Sequence, residues 1–259
     1  MNRQDKSKIV IQVSLCLIIW FGLMKLSAYG IDRIGQNWPE VLRLILTTMI
    51  IPYGLFMPII IIFLKRVDRV DKNNQSSLDL NDWVKLMIVQ TGLSMFVMTL
   101  VNILLTIAGV RIENNFIDRV NQHFVFYFIL LILFNPLAEE YFFRRVLLNP
   151  LRRVGEKEGI IISACLFALP HAFSQGIGQM FSTFVLGIIW AWLMVKTNKL
   201  RYPVLLHSFA NLYGMYIPMF LTKTTVGMVL FMAMNILILP VLSLILIRRE
   251  MKIIRRSEG

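Results

Sequence analysis

Apolar stretches long enough to cross a bilayer recur along almost the whole chain, and they limit the fold more than any other sequence feature. A helix of about 17–25 apolar residues spans the hydrocarbon core of a membrane. Eight such runs can be read, at Ile9–Tyr29, Val41–Leu64, Trp83–Val110, His123 to about Leu148, about Ile160–Phe173, Ile177–Val195, Pro203–Leu221 and Val226–Ile247. Hydrophobic residues make up 57% of the 259 positions and charged residues 16%, whereas soluble domains have about 25% charged residues. The sequence therefore predicts an all-α polytopic membrane protein with about eight transmembrane helices.

The basic residues are divided unevenly between alternate loops. With the N-terminus placed in the cytoplasm, twenty of the 27 Lys and Arg residues fall on that side, including Arg144 and Arg145, and five fall on the other; Lys25 and Lys85 lie inside or at the edge of spans. Cytoplasmic loops are enriched in Lys and Arg, so both termini are predicted to be cytoplasmic. The net charge of +12 fits contact with anionic lipid headgroups. It does not indicate nucleic-acid binding, because the cations are spread over loop ends rather than gathered on one soluble face.

The chain offers no soluble domain and no cysteine motif. Its longest polar stretch, Asp68–Asp82, is too short to bury a core and is predicted to lie in a cytoplasmic loop over residues 65–82. Cys16 and Cys165 lie in apolar runs without C-x-x-C spacing, so neither a disulfide framework nor a thiol redox motif is indicated. The functional residues are therefore expected within the membrane spans.

Three short fragments set polar and ionisable side chains inside these apolar runs. They are Glu139-Glu140-Tyr-Phe-Phe-Arg144, Phe167-x-x-x-His171 and His207-x-x-x-Asn211. A charged side chain at the centre of a membrane helix costs about 2.5–3.5 kcal/mol on insertion scales, so such residues usually mark a functional site. The fragments supply two carboxylates, two imidazoles and an amide, the groups that hydrolysis of a peptide bond needs.

The first fragment follows Asn135-Pro136, where proline removes a backbone donor and predicts a kinked helix. The i,i+4 spacing of Glu140 and Arg144 lets them pair on one helix face, while Glu139 points about 100° away from Glu140. Glu139 then lies about 20 Å from the cytoplasmic end of its helix. The alternative is an interfacial charge cluster at the end of the span, which does not explain the adjacent glutamates.

The two histidine fragments have similar alternatives. His171 lies about 20 Å from the cytoplasmic side if its span is helical, which matches the depth expected for Glu139; otherwise it is a helix-end residue beside Pro170. His207 and Asn211 share one helix face and can donate two hydrogen bonds to a single oxygen. Alternatively, they form an ordinary polar contact between membrane helices.

In this order, the three fragments resemble the signature of the CAAX protease and bacteriocin-processing family of intramembrane endopeptidases, also called the Abi family. The resemblance covers about Asn135–Asn211. It implies a catalytic core of four helices, here residues 121–220, preceded by three spans over residues 1–120 and followed by a span and a basic cytoplasmic tail over residues 221–259.

The resemblance also implies residue roles. Glu139 would activate water together with His171, His207 and Asn211 would bind the oxyanion, and Glu140 and Arg144 would support them. A carboxylate in an apolar pocket is a stronger base toward water, because burial disfavours its ionised form. No cofactor is expected. Zinc is the competing mechanism, since two histidines and a glutamate also form a catalytic zinc set, although the chain has no H-E-x-x-H sequence.

Two other classes of function remain. A non-catalytic scaffold or regulator of a sensor kinase or transporter would need no complete catalytic set, and a proton-relaying transporter would distribute ionisable residues over more spans. We expect a peptide or protein substrate at a bacterial cytoplasmic membrane. Whether it is a prenylated protein, a bacteriocin or a signalling peptide stays open, as does the oligomeric state.

Overall fold

The computed structural model describes residues 2–64, 77–110 and 116–257, so residues 65–76 of the predicted cytoplasmic loop lie outside the described part. Helix accounts for 89% of the structure, which confirms the predicted all-α fold. The described helices are α1 (Arg3–Ile34), α2 (Glu40–Leu64), α3 (Leu80–Ile107), α4 (Phe116–Gln122), α5 (Phe124–Leu151), α6 (Glu156–Ser174), α7 (Ile177–Thr197), α8 (Arg201–Leu221) and α9, which begins at Thr225 and ends at Ser257.

Seven of these helices are long and apolar enough to cross a membrane. The predicted fifth span corresponds to α6, which is not among the seven because its 19 residues begin with the charged sequence Glu156-Lys157-Glu158. It is nevertheless one continuous helix about 28 Å long, followed by α7 after the turn at Gln175 and Gly176. An eighth crossing by α6 stays a prediction.

Helix α7 is the centre of the bundle. Half of its apolar window is buried, against 17–28% for the other six candidate spans. It packs against α6 and α3 and also contacts α8. A Cβ atom on Gly187 would lie 3.1 Å from Cα of Ala164, so α6 and α7 approach more closely there than larger residues would permit. The two histidine-bearing helices, α6 and α8, therefore both contact α7.

Helix α5 is irregular where the first fragment begins. Its residues Leu130–Phe134 and Tyr141–Leu147 are π-helical, and Pro136 lies between them. Proline has no N–H to donate to the carbonyl four residues earlier. That carbonyl, of Ile132, instead accepts a hydrogen bond from Ser208 Oγ on α8 at 2.8 Å, and the neighbouring Leu131 carbonyl accepts one from Asn211 Nδ2 at 2.7 Å.

The two ends of the bundle differ in charge. We call the end where α5 passes into α6 and α7 passes into α8 the basic end; its loops and the adjoining helix ends carry Arg152, Arg153, Lys157, Lys196 and Lys199. Between this end and Glu140 the bundle is filled with hydrophobic side chains. Phe142, Leu147 and Leu151 are fully buried there, together with partners from α1, α2, α6 and α7.

Candidate active site

The second glutamate of the first fragment is at the centre of a buried polar network. Glu140 Oε2 accepts a hydrogen bond from Arg144 Nε at 2.8 Å, as the i,i+4 spacing predicts. Glu140 Oε1 lies 3.1 Å from His207 Nδ1, and because a carboxylate only accepts, Nδ1 carries the hydrogen and donates. Arg144 Nη1 also donates to Ser163 Oγ of α6 at 3.1 Å. The network ties α5, α6 and α8 together.

Arg144 corrects one sequence expectation. The loop count placed it with the cytoplasmic cations, but its side chain is fully buried. Its guanidinium carbon lies 4.9 Å from the ring centroid of Phe167. The attraction between a cation and an aromatic face is stronger when the pair is desolvated, and Glu140 supplies the opposite charge. Arg144 is therefore part of the interior of the bundle rather than a cytoplasmic loop charge.

The surroundings of Glu139 differ from those of Glu140, as expected because consecutive helical residues point about 100° apart. Its Oε1 accepts a hydrogen bond from the hydroxyl of Tyr53 on α2 at 3.3 Å. Tyr53 is held in turn by aromatic contacts with Trp20 of α1 and Phe134 of α5, at ring-centroid distances of 5.7 and 5.4 Å. Glu139 therefore points toward α1 and α2, while Glu140 contacts α8.

Glu139 and His171 line the same cavity, of about 430 Å³, between α1, α2, α5 and α6. His171 Nδ1 lies 3.1 Å from the Phe167 carbonyl oxygen, so this nitrogen donates and Nε2 is left with its lone pair when the ring is neutral. Asn135, one turn before Glu139, lines the same wall, and its Oδ1 is buried without a hydrogen-bond partner in the described structure. The cavity thus combines a carboxylate, an imidazole and an amide oxygen.

His207 lies behind this wall. Its ring is stacked on Trp190 of α7, with ring centroids 4.4 Å apart and an interplanar angle of 20°. Phe167 contacts both histidines, at 5.4 Å from His171 and 5.9 Å from His207. His207 is also close enough to interact electrostatically with both Glu139 and His171. The structure therefore brings Glu139, His171 and His207 into one cluster.

Asn211 is oriented differently from the other five motif residues. Its Nδ2 donates to the Leu131 carbonyl, and its side chain lines a second cavity, of about 360 Å³, between α3, α5, α7 and α8. Leu131 and Gln175 line both cavities, so Asn211 adjoins the first cavity across Leu131. One of its two amide hydrogens is used by Leu131, and one remains.

The competing zinc mechanism can be tested against the donor set. In the described part of the chain, no three His, Cys, Asp or Glu side chains form a group that could hold a metal ion. His207 Nδ1 is bound to Glu140 and His171 Nδ1 to Phe167. These bonds use only Nδ1 of each ring, and independence from metal stays a prediction.

Several supporting residues were missed in the sequence. Tyr53 belongs to a span with no motif, and its contact with Glu139 joins positions 86 residues apart. Trp190 belongs to none of the three fragments, yet its Nε1 donates to Gln90 Oε1 at 2.9 Å and its ring covers His207. Ser163 could have been found, because it lies four residues before Phe167 and eight before His171 on one helix face.

Comparison with known proteins gives a family match over the part of the chain that contains this site. A family model described as type II CAAX prenyl endopeptidase Rce1-like matches residues 121–213, which contain all six polar motif positions. No curated protein and no solved structure matches the chain. Together with seven apolar helices, the match supports a multi-pass membrane protease of the CAAX type. The resemblance to the CAAX protease family is therefore confirmed over residues 121–213.

Proposed function

We propose that the chain is an intramembrane endopeptidase that hydrolyses a peptide bond of a membrane-associated peptide or protein. The observation that carries the proposal is that the two adjacent glutamates have different surroundings. Glu139 faces a cavity together with His171, while Glu140 is bound to Arg144 and His207 behind it. A carboxylate that shares a cavity with an imidazole suits water activation, and a carboxylate fixed by two partners suits the orientation of a neighbouring histidine.

In the proposed reaction, a water molecule in the cavity is held by Glu139 and by Nε2 of His171. Glu139 takes one proton from the water as its oxygen attacks the carbonyl carbon of the substrate. The tetrahedral intermediate then collapses, the C–N bond breaks, and protonated Glu139 returns the proton to the leaving amine. No net proton is consumed, so one carboxylate acts first as the base and then as the acid.

The oxyanion would be bound by His207 and Asn211. His207 Nδ1–H donates to Glu140, so donation to the oxyanion would come from Nε2 of the doubly protonated ring. Asn211 would contribute the amide hydrogen that Leu131 does not use. Such preorganised donors lower the barrier by roughly 2.7–4 kcal/mol each.

The proposal is tested by finding the substrate and cleaving it with purified protein. Membrane peptides from cells expressing the wild type are compared with those from cells expressing Glu139→Gln, which keeps the shape of the side chain and can still accept from Tyr53. Peptides that depend on Glu139 are then incubated with purified full-length protein. Wild type and Glu158→Gln, which changes an exposed glutamate near the start of α6, should cleave them, and Glu139→Gln should not. Absence of cleavage by the purified wild type would favour the scaffold or regulator, and equal cleavage by Glu139→Gln would remove Glu139 from the mechanism.

A further inference from the structure

The cavity that contains Glu139 has one buried and one exposed end. At its buried end the walls are Glu139, Phe143 and Phe167, which lie near the middle of α5 and in α6. At its other end lie exposed residues of α1, α4 and α6, namely Lys25, Arg119, Phe173 and Ser174. All four belong to the half of the bundle that faces away from the basic end. Helices α1 and α6 approach their C-terminal ends there, and α4 directly precedes the start of α5 there.

The side toward the basic end is closed by packing. Phe142, Leu147 and Leu151 are fully buried between Glu139 and that end of α5, and Phe143 is 3% exposed. These side chains belong to the main hydrophobic cluster, which includes Leu193 of α7 and Leu64 of α2. A peptide could reach Glu139 from the basic end only by displacing this closely packed core.

The charges of the loops indicate which membrane face the open end meets. In the described part of the chain, the basic end carries Arg152, Arg153, Lys157, Lys196 and Lys199, and short basic segments of this kind stay in the cytoplasm. The open end therefore faces the extracytoplasmic side. Its cavity wall carries two cations, Lys25 and Arg119, while the acidic residue among the cavity-lining residues, Glu139, lies deep.

From this geometry we propose that the substrate enters from the extracytoplasmic side, so that the enzyme cleaves peptide segments displayed on the outer surface of the membrane. The inference rests on the proposed function and chooses between the substrate classes that the sequence leaves open. A secreted or translocated peptide reaches this entrance. The prenylated C-terminus of a cytoplasmic protein does not, because it is presented on the opposite side of the bilayer.

The direction of entry can be measured by cysteine labelling of the full-length protein in intact cells. In a Cys16→Ala, Cys165→Ala background, single cysteines are placed at the cavity wall (Thr48→Cys) and at its open end (Ser174→Cys). Asn37→Cys, in the loop between α1 and α2, and Glu158→Cys, near the basic end, are the controls. The probe is sulfonatoethyl methanethiosulfonate, a small anionic thiol reagent that does not cross membranes.

We expect Ser174→Cys and Thr48→Cys to react in intact cells within about tenfold of the rate of Asn37→Cys, and Glu158→Cys to react only after permeabilisation. The proposal is overturned if both cavity cysteines need permeabilisation while Asn37→Cys does not, since the entrance would then be closed to the outside. It is also overturned if Glu158→Cys reacts in intact cells and Asn37→Cys does not, since the bundle would then be inverted. Labelling requires no proteolysis, so adding Glu139→Gln should leave this pattern unchanged; failure of the protease proposal would appear only in the cleavage assay.

Discussion

Glu139 and Glu140 are neighbours in sequence but have different partners, because one helical step turns the side chains about 100° apart. Glu140 is fully buried and bonded to Arg144 and His207. Glu139 accepts a hydrogen bond from Tyr53 that, at 3.3 Å, is longer than both bonds of Glu140, and its side chain lines the cavity. One glutamate is thus bound into the structure and the other is available to a ligand.

Substitutions at these two positions should separate activity from stability. Glu139→Gln and His171→Ala should abolish measurable cleavage while the amount of folded protein stays near wild type, because both side chains border a cavity. Glu140→Ala leaves Arg144 without its partner, and an unpaired buried charge costs about 3–5 kcal/mol, so the amount of folded protein should fall as well. Cleavage and the monodisperse fraction in size-exclusion chromatography are measured for each variant. Normal folding of Glu140→Ala would contradict this account.

Tyr53 should tune the reactivity of Glu139. Tyr53→Phe removes the hydroxyl that donates to the carboxylate, and a hydrogen bond to a charged group is worth about 1.5–3 kcal/mol. We expect kcat to change by about tenfold or more, with little change in KM or in folding. Tyr29→Phe, at an exposed tyrosine of α1, is the matched control and should behave like wild type. Identical kinetics for both variants would show that Tyr53 does not act on Glu139.

The prediction that the reaction needs no metal concerns Glu139 and His171. Strong chelators should leave cleavage by the purified protein intact, because Glu139 and His171 suffice to bind and activate water in the proposed mechanism. The metal content of the protein is measured in parallel. Stoichiometric zinc together with loss of cleavage on chelation would replace this mechanism with a zinc-dependent one.

At the scale of helices, the contact between α5 and α8 results from Pro136. The proline leaves the Ile132 carbonyl without its usual donor, and Ser208 and Asn211 supply side-chain hydrogens to this region of α5. In a membrane such carbonyls have no water to bind. The same two bonds fix the register of α8 against α5 and so place His207 beside Glu140.

Ser208 and Asn211 form a matched pair that can test the oxyanion role. Each satisfies one α5 carbonyl, but only Asn211 has a hydrogen left for a ligand. Both Ser208→Ala and Asn211→Ala should lower the thermal midpoint of the purified protein. Turnover per folded molecule should stay near wild type in Ser208→Ala and fall about 10²–10³-fold in Asn211→Ala. An equal, small effect on turnover in both variants would assign Asn211 to helix packing alone.

Local patterns in the sequence predicted the features that depend on neighbouring residues. These were the helical spans, the interruption at Pro136 and the bond between Glu140 and Arg144, because hydropathy, proline chemistry and i,i+4 spacing are properties of short segments. The Tyr53–Glu139 and Asn211–Leu131 contacts join residues 86 and 80 positions apart. They depend on how helices assemble, which no short pattern records.

At the scale of the whole molecule, the topology depends on α6. Seven crossings would leave the two termini on opposite sides, and a crossing by α6 would bring both to the cytoplasm. We expect reporters fused after Lys72 and after Gly259 both to report the cytoplasm, with an N-terminal tag protected from external protease. A reporter after Gly259 that is active outside the cell would show that α6 does not cross.

The stacking of Trp190 on His207, at 4.4 Å, gives the protein an optical readout of its own. A protonated imidazole held against an indole face is attracted to its π-electrons, and the same contact allows it to quench the excited indole. The intrinsic fluorescence that is lost in Trp190→Phe should therefore follow the charge on His207. Substrate arrival, which brings a carbonyl oxygen toward that ring, would then be visible in stopped-flow emission without any label.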